Sequence, residues 1–321
     1  MGNFLKSFFS SETLSPDEIQ AKDNQRNFDV FKYDGIRALG MGQVKYAIKC
    51  HVEALKIKED VEVMQYLVAA YTAEHETDEA LNVVNRLLEI DPDNLKTTLL
   101  SRASLFYQSD REEETIADCL RVIELDASNP AAWYLMGKAK SKLKDASGAV
   151  ADLTQAIALK EDFADAYLQR AEILVELDQP EEAFADVEKL ILLMPEEEAV
   201  YLLRGRIYER LSNLSAAADD YNQVVRLNPF NEEAVLLRGA LLIKEGALKE
   251  AIDFFDEVIE LKPEFADAYR GRGKAKSLIG NTEGALEDEK TAGELEEEGK
   301  EDEVVVAKRP NFDEIYKDGI F

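Results

Sequence analysis

A small residue returns along this chain at an almost fixed interval. It stands at Ala47, Ala80, Thr115, Ala149, Ala183, Ala217, Ala251 and Ala285, in steps of 33, 35 and then 34 residues five times over. A second series keeps the same beat twelve residues earlier, at Gly35, Val68, Ala103, Gly137, Ala171, Gly205, Gly239 and Gly273, and prolines at 92, 195, 229 and 263 mark unit ends. Each unit reads as helix, turn, helix, turn. Such an array buries its core between neighbouring units, and it presents surfaces more readily than it performs chemistry.

For a stacked array of 321 residues, length does not count domains. A hydrophobic content of 46% against 32% charged residues suits packed helices with a heavily solvated exterior. The net charge of -28 argues against binding nucleic acid or anionic membrane, both of which attract Lys and Arg. Two cysteines, Cys50 and Cys119, are too few for a disulfide framework and are expected as buried reduced thiols. The first ten residues lack the apolar stretch of a signal peptide, and no run is long enough to span a bilayer, so a cytoplasmic location is expected. Met1-Gly2 opens like a myristoylation signal, but Lys6 stands where Ser or Thr is required.

Within 201–227, apolar and small residues recur three and four apart, which is helical periodicity. Gly or Ala in the first helix and Ala in the second allow the two axes to approach closely. Phe31, Trp133, Tyr167, Tyr201 and Tyr269 supply bulk near the starts of first helices, and Tyr221 and Phe255 do so in second ones. These units resemble tetratricopeptide repeats. The resemblance covers 28–299 as eight repeats, at 28–61, 61–94, 96–129, 130–163, 164–197, 198–231, 232–265 and 266–299, flanked by a partly flexible amino-terminal extension (1–27) and a carboxyl-terminal tail (300–321). It implies an all-α, right-handed solenoid of helix-turn-helix repeats. Val68 and Thr115 depart from the usual small residues, and Glu289 replaces the usual aromatic, as suits a terminal repeat.

An Arg in the first helix and an Asp sixteen residues later occur together as Arg102/Asp118, Arg170/Asp186, Arg204/Asp220 and Arg272/Asp288. They are expected as partly buried interhelical ion pairs, architectural rather than catalytic, because a bidentate contact is tolerated where a lone ion is costly. Asp152 faces Met136 and Arg238 faces Phe254, so Asp152 is expected to borrow Arg170, and Arg238 to borrow Asp220.

His51 falls at a core place and His75 in a turn, and the familiar metal, protease and phosphate-binding motifs are absent. No catalytic residue, metal or cofactor is expected, and the chain reads as a non-enzyme. Resemblance to the family implies a concave face, lined by first helices, that holds an extended peptide or a partner's helix. The carboxylate clamp of chaperone-binding relatives is not met, since Ile36 follows Lys32 where Asn is needed and Tyr66, Thr97 and Ser101 follow. The same register in later repeats picks out Tyr134, Lys138, Lys142, Gln169, Glu172, Arg206, Arg210, Lys244, Arg270 and Lys274 as the expected groove. Its basic strip suits an acidic peptide, unless those side chains pair with acids such as Glu209, Glu233 and Asp267.

Ser15-Pro16-Asp17-Glu18 is a helix-start signal. Phe4, Leu5, Phe8 and Phe9 before it form an aromatic tip, either a flexible end or cap over the first repeat, or a partner's anchor. In the tail, 311–321 echoes 27–36 through shared Asn-Phe-Asp and Asp-Gly-Ile, which suggests docking on the array or on a second molecule. The leading reading is an adaptor that binds a protein or peptide in its groove. The alternatives are a scaffold self-assembling through end repeats and tails, and a regulatory subunit.

Overall fold

The computed structural model of the chain describes residues 15–307. Those residues form an all-α helical-repeat solenoid whose long segments are all helices, joined by short turns. The chain divides into two compact lobes, the first ending at Ala166 and the second beginning at Tyr167. The first lobe holds α1 (Pro16–Gly40), α2 (Val44–Ile57), α3 (Val61–Ala73), α4 (Thr77–Ile90), α5 (Leu95–Gln108), α6 (Glu112–Leu125), α7 (Pro130–Lys142) and α8 (Ala146–Leu159). A single 3₁₀ turn, Pro92–Asn94, leads into α5. The boundary falls within α9 (Ala164–Glu176), and the second lobe continues through α10 (Pro180–Leu193), α11 (Glu198–Arg210), α12 (Leu214–Leu227), α13 (Glu232–Lys244), α14 (Leu248–Leu261), α15 (Ala266–Leu278) and α16 (Thr282–Ala307).

The Ser15 signal makes a complete capping box. Its hydroxyl accepts from the Glu18 amide, and its own amide donates to Glu18 Oε2 at 2.7 Å. Residues 16–27 of the expected amino-terminal extension form the first half of α1, and every one of them is exposed. At the other end α16 passes through 300–307, while the aromatic tip and the echo at 311–321 lie outside the described residues. The turn between first and second helices is equally regular. His75, Asp110, Lys144, Asp178 and Ser212 all take a left-handed backbone, and glycine takes it at 42, 246 and 280.

The two series of small residues explain the packing. A first-helix residue meets the residue sixteen places later on the second helix, and their sizes are reciprocal. A Cβ built on Gly137 would lie 2.9 Å from Leu153 Cγ, and one on Gly35 would strike the His51 ring. Added to Gly205 or Gly239, it would collide with the rings of Tyr221 or Phe255, both fully buried. Where alanine replaces glycine the opposite residue shrinks, to Cys119 across from Ala103 and Val187 across from Ala171, all of them sealed from solvent. Close packing leaves no room for bulk on both sides. Thr115 is accommodated because its hydroxyl donates to the Arg111 carbonyl at 2.9 Å and buries no free polar group.

His51 is the anomaly in this series. It is fully buried, stacks on Tyr66 with centroids 5.7 Å apart, and neither ring nitrogen has a hydrogen-bond partner among the described residues. Burial, and then the charge of Lys32, hold the imidazole below its ordinary value.

Two outcomes follow from this packing. Gly205→Ala should cost about 1–3 kcal/mol by overpacking against Tyr221, and the cost should largely vanish in a Tyr221→Val background, which recreates the Ala171/Val187 pairing. Urea unfolding of the four proteins in the cycle measures the coupling. His51 stays neutral in the fold while the unfolded chain takes up its proton below about pH 6.5, so stability should fall on acidification from there by at most about 1.4 kcal/mol per pH unit. His51→Leu should remove that component from urea midpoints compared at pH values on either side.

Candidate functional site

The structure brings the four Arg/Asp couples together with one geometry. Arg102, Arg170, Arg204 and Arg272 each donate from Nε and Nη2 to the two carboxylate oxygens of Asp118, Asp186, Asp220 and Asp288, at 2.5 to 3.1 Å. The aspartates are buried and the guanidinium groups half-buried. Each carboxylate pushes its arginine further up. Burial in turn raises the Asp220 carboxyl despite its two bonds from Arg204, which marks what ionisation costs there.

A third donor, Nη1, extends the link to the second helix of the preceding pair. Arg102 reaches Asn85 at 2.8 Å, Arg204 reaches Glu188 at 2.6 Å and Arg272 reaches Asp256 at 2.5 Å. These groups are structural cross-braces.

Both expected borrowings are corrected. Asp152 is served by Lys140, whose Nζ lies 2.7 Å from Oδ2, at an angle short of a hydrogen bond. Lys140 stands one turn beyond Met136 on the same helical face, so it supplies the charge that Met136 lacks. Arg238 does not take Asp220, which Arg204 already holds with two bonds. It donates instead to Asn222 Oδ1 at 3.0 Å, and its buried Nη1 has no partner among the described residues.

The expected groove residues are mostly engaged with their neighbours. In the first lobe Lys138 lies over the rings of Tyr107 and Tyr134, and Tyr134 packs on Phe163. Lys142 pairs with Asp110 at 2.6 Å and lies over Tyr107. In the second lobe Arg206 pairs with Glu233, Arg210 with Asp178 at 3.3 Å, and Arg270 with Asp267 and Glu296. Gln169 donates weakly to Glu172, whose carboxyl is raised by burial and then by Glu176. Glu209 is taken by the buried Tyr221 hydroxyl at 2.6 Å. Of the basic strip, Lys244 and Lys274 are left with no ion-pair partner among the described residues.

Open space lies between the parallel first helices α3 and α5. Two adjoining cavities of about 250 and 550 Å³ share Gln65, Val68 and Ser101. The lower one is floored by Val84 and Leu87 of α4 and reaches Asn94 and Thr97; the other runs past Thr72 and Ser104 to Gln108. None of the lining residues is charged. Thr97 and Ser101, which fall at the clamp register but lack its charge, belong to this lining. The signal that marks it is charge depletion, with Glu62 alone in α3 and only Lys96 and Arg102 in α5.

Models of the tetratricopeptide repeat match residues 130–163, 164–197 and 202–266. Residues 130–197 and 202–266 thus carry tetratricopeptide repeats. A tetratricopeptide repeat protein from Parabacteroides merdae shares the fold at 15% identity and a TM-score of 0.54, over 73% of this chain and 93% of that one. The pilF protein of Pseudomonas aeruginosa does so at 18% identity and a TM-score of 0.55, over 69% and 99%. No curated sequence matches the chain significantly.

Tetratricopeptide repeats are generally non-enzymatic modules for protein–protein interaction. No described helix is long and apolar enough to cross a membrane, and the described residues hold no cluster of three or more potential metal ligands. Cys50 and Cys119 are free and buried. Burial, with Asp118 and Asp152 nearby, pushes the Cys119 thiol up to about 12, so it carries no reactive thiolate near neutrality.

The cross-braces of this tetratricopeptide-repeat array should be expensive to break and cheap to replace whole. Asp220→Ala, which leaves the Arg204 guanidinium with Glu188 as its remaining partner, should cost about 1–3 kcal/mol, whereas Arg204→Met with Asp220→Leu should recover most of the loss. Urea unfolding of the single and double variants measures both.

Proposed function

We propose that this protein is a non-enzymatic adaptor, acting in a reducing compartment such as the cytoplasm, that holds a segment of a partner protein against its first helices. On this reading the helix pairs make eight tetratricopeptide repeats over 28–299, and the segment lies between α3 and α5. One observation carries the reading: the α3–α5 groove is open and lined by polar groups, while Arg206, Arg210 and Arg270 of the basic strip are spent on the protein's own acids. An ion pair already made internally must be broken before it holds a ligand, which removes most of its value for binding. The apolar floor of Val68, Val84 and Leu87 supplies buried contact, and the hydroxyl and amide rim supplies orientation. The acidic exterior acts at longer range, slowing the approach of other polyanions.

The test compares three tagged proteins in parallel captures from native extract: the unaltered chain, Ser101→Arg, and Arg206→Glu with Lys274→Glu. Specific partners should be lost with Ser101→Arg and retained with the paired reversal. Loss with the reversal alone would move the site to the second lobe. Retention of every partner by both variants would remove the first helices from the binding face.

A further inference from the structure

We infer that the α3–α5 groove selects an extended, uncharged segment and reads its main chain through the side-chain amides of Gln65 and Gln108. The inference rests on the adaptor reading and names the ligand class of that site.

The first argument is charge. Charged residues make up 32% of this chain, a frequency at which the groove's lining would carry about four charges, and it carries none. A charged segment entering would lose hydration and meet no counter-ion, which is unfavourable by several-fold to many-fold in affinity. A neutral segment meets no such penalty.

The second argument is the state of the polar groups. The hydroxyls of Thr72, Thr98, Ser101 and Ser104 donate to carbonyls one turn back on their own helices, at 2.8 to 3.1 Å. Their hydrogens are occupied, so towards the groove they offer acceptor lone pairs. Asn94 is likewise held by Asp91. Gln65 and Gln108, by contrast, make no side-chain hydrogen bond among the described residues, and both are exposed. Gln65 lines both cavities and Gln108 the far end of the second. A free carboxamide carries two donors and an acceptor, the complement of a peptide unit's own carbonyl and amide. Hydroxyl acceptors between the two amides suit the N–H groups of a chain running along the groove.

The third argument is dimension. The thirteen residues of α3 span about 20 Å along the helix axis, the length of about six residues of extended chain. Ala69 and Ala73 line the upper cavity with minimal bulk, and Val68 and Leu105 give it apolar surface, so small and medium apolar side chains fit alternate positions.

The test uses fluorescein-labelled heptapeptides, acetylated and amidated at their ends, in three sets: neutral (Ala, Ser, Thr, Val), acidic and basic. Binding to the full-length chain is read by fluorescence polarisation at about 50 and about 500 mM NaCl. Neutral peptides should bind with affinities that change less than about twofold between these salts, and Gln65→Ala with Gln108→Ala should weaken them about tenfold or more. N-methylation of alternate peptide amides should cause a similar loss while leaving side chains intact. Circular dichroism shows that each variant is folded. Binding confined to the acidic or basic set, or failure of every set while Ser101→Arg still abolishes partner capture, overturns the ligand class and leaves the adaptor groove standing. Failure of every set together with partner capture indifferent to Ser101→Arg overturns both.

Discussion

Two helices approach only as closely as the side chains between them permit, and here that limit is set by one pair of positions sixteen residues apart. The space is shared rather than assigned to one side. Gly205 and Gly239 give it to Tyr221 and Phe255, Ala103 and Ala171 divide it with Cys119 and Val187, and Val68 faces Val84. Phe255 shows how tightly the arrangement is drawn, because its ring lies against Gly239 and also against Gly271 of the next first helix. The same close approach fixes where everything else on the helices must fall, including the arginine one place before five of the eight small-residue positions and the groove between neighbouring first helices.

That neighbouring arginine place turns steric register into polar specificity. One guanidinium satisfies a carboxylate within its pair by two parallel bonds and uses its remaining edge on the previous pair, as Arg204 does with Asp220 and Glu188. A lysine cannot make that planar fork, and Lys140 accordingly holds Asp152 by a single close contact. Arg238 shows the reverse defect, a fork whose own-pair partner has become Phe254. It keeps one bond to Asn222 and leaves a buried donor idle. In an array stabilised by nearest-neighbour interfaces, such uneven links make some joints weaker than others.

What was legible in the sequence divides along the same line. Helix order, the small-residue series and the bidentate pairs all depend on residues at a constant separation on one pair of helices, so a fixed beat exposes them. The rescue of Asp152 by Lys140 was missed because it needs one turn of shift along α7, and the pairing of Arg238 with Asn222 was missed because it crosses to another pair. The basic strip depends on more than register. Register places Arg206, Arg210 and Arg270 on a common face, but Glu233, Asp178 and Glu296, 26 to 32 residues away, determine whether those charges are available. Position along a helix reveals which side chains are neighbours; it does not reveal which of them have already found partners.

The consequence for binding is that surplus charge and recognition are separated in this molecule. With 66 acidic residues against 38 basic ones, most arginines have an acid within reach, and the packing uses them as braces. Cations pinned in this way keep the array stiff and stop contributing to a ligand, since swapping one carboxylate for another gains little. Free valence also remains on groups too weakly polar for the acids to claim, among them the carboxamides and hydroxyls along α3 and α5. A neutral groove in an acidic protein is therefore a natural product of its composition: where most strong donors are consumed internally, recognition passes to the weaker ones, and those are best matched by a peptide backbone.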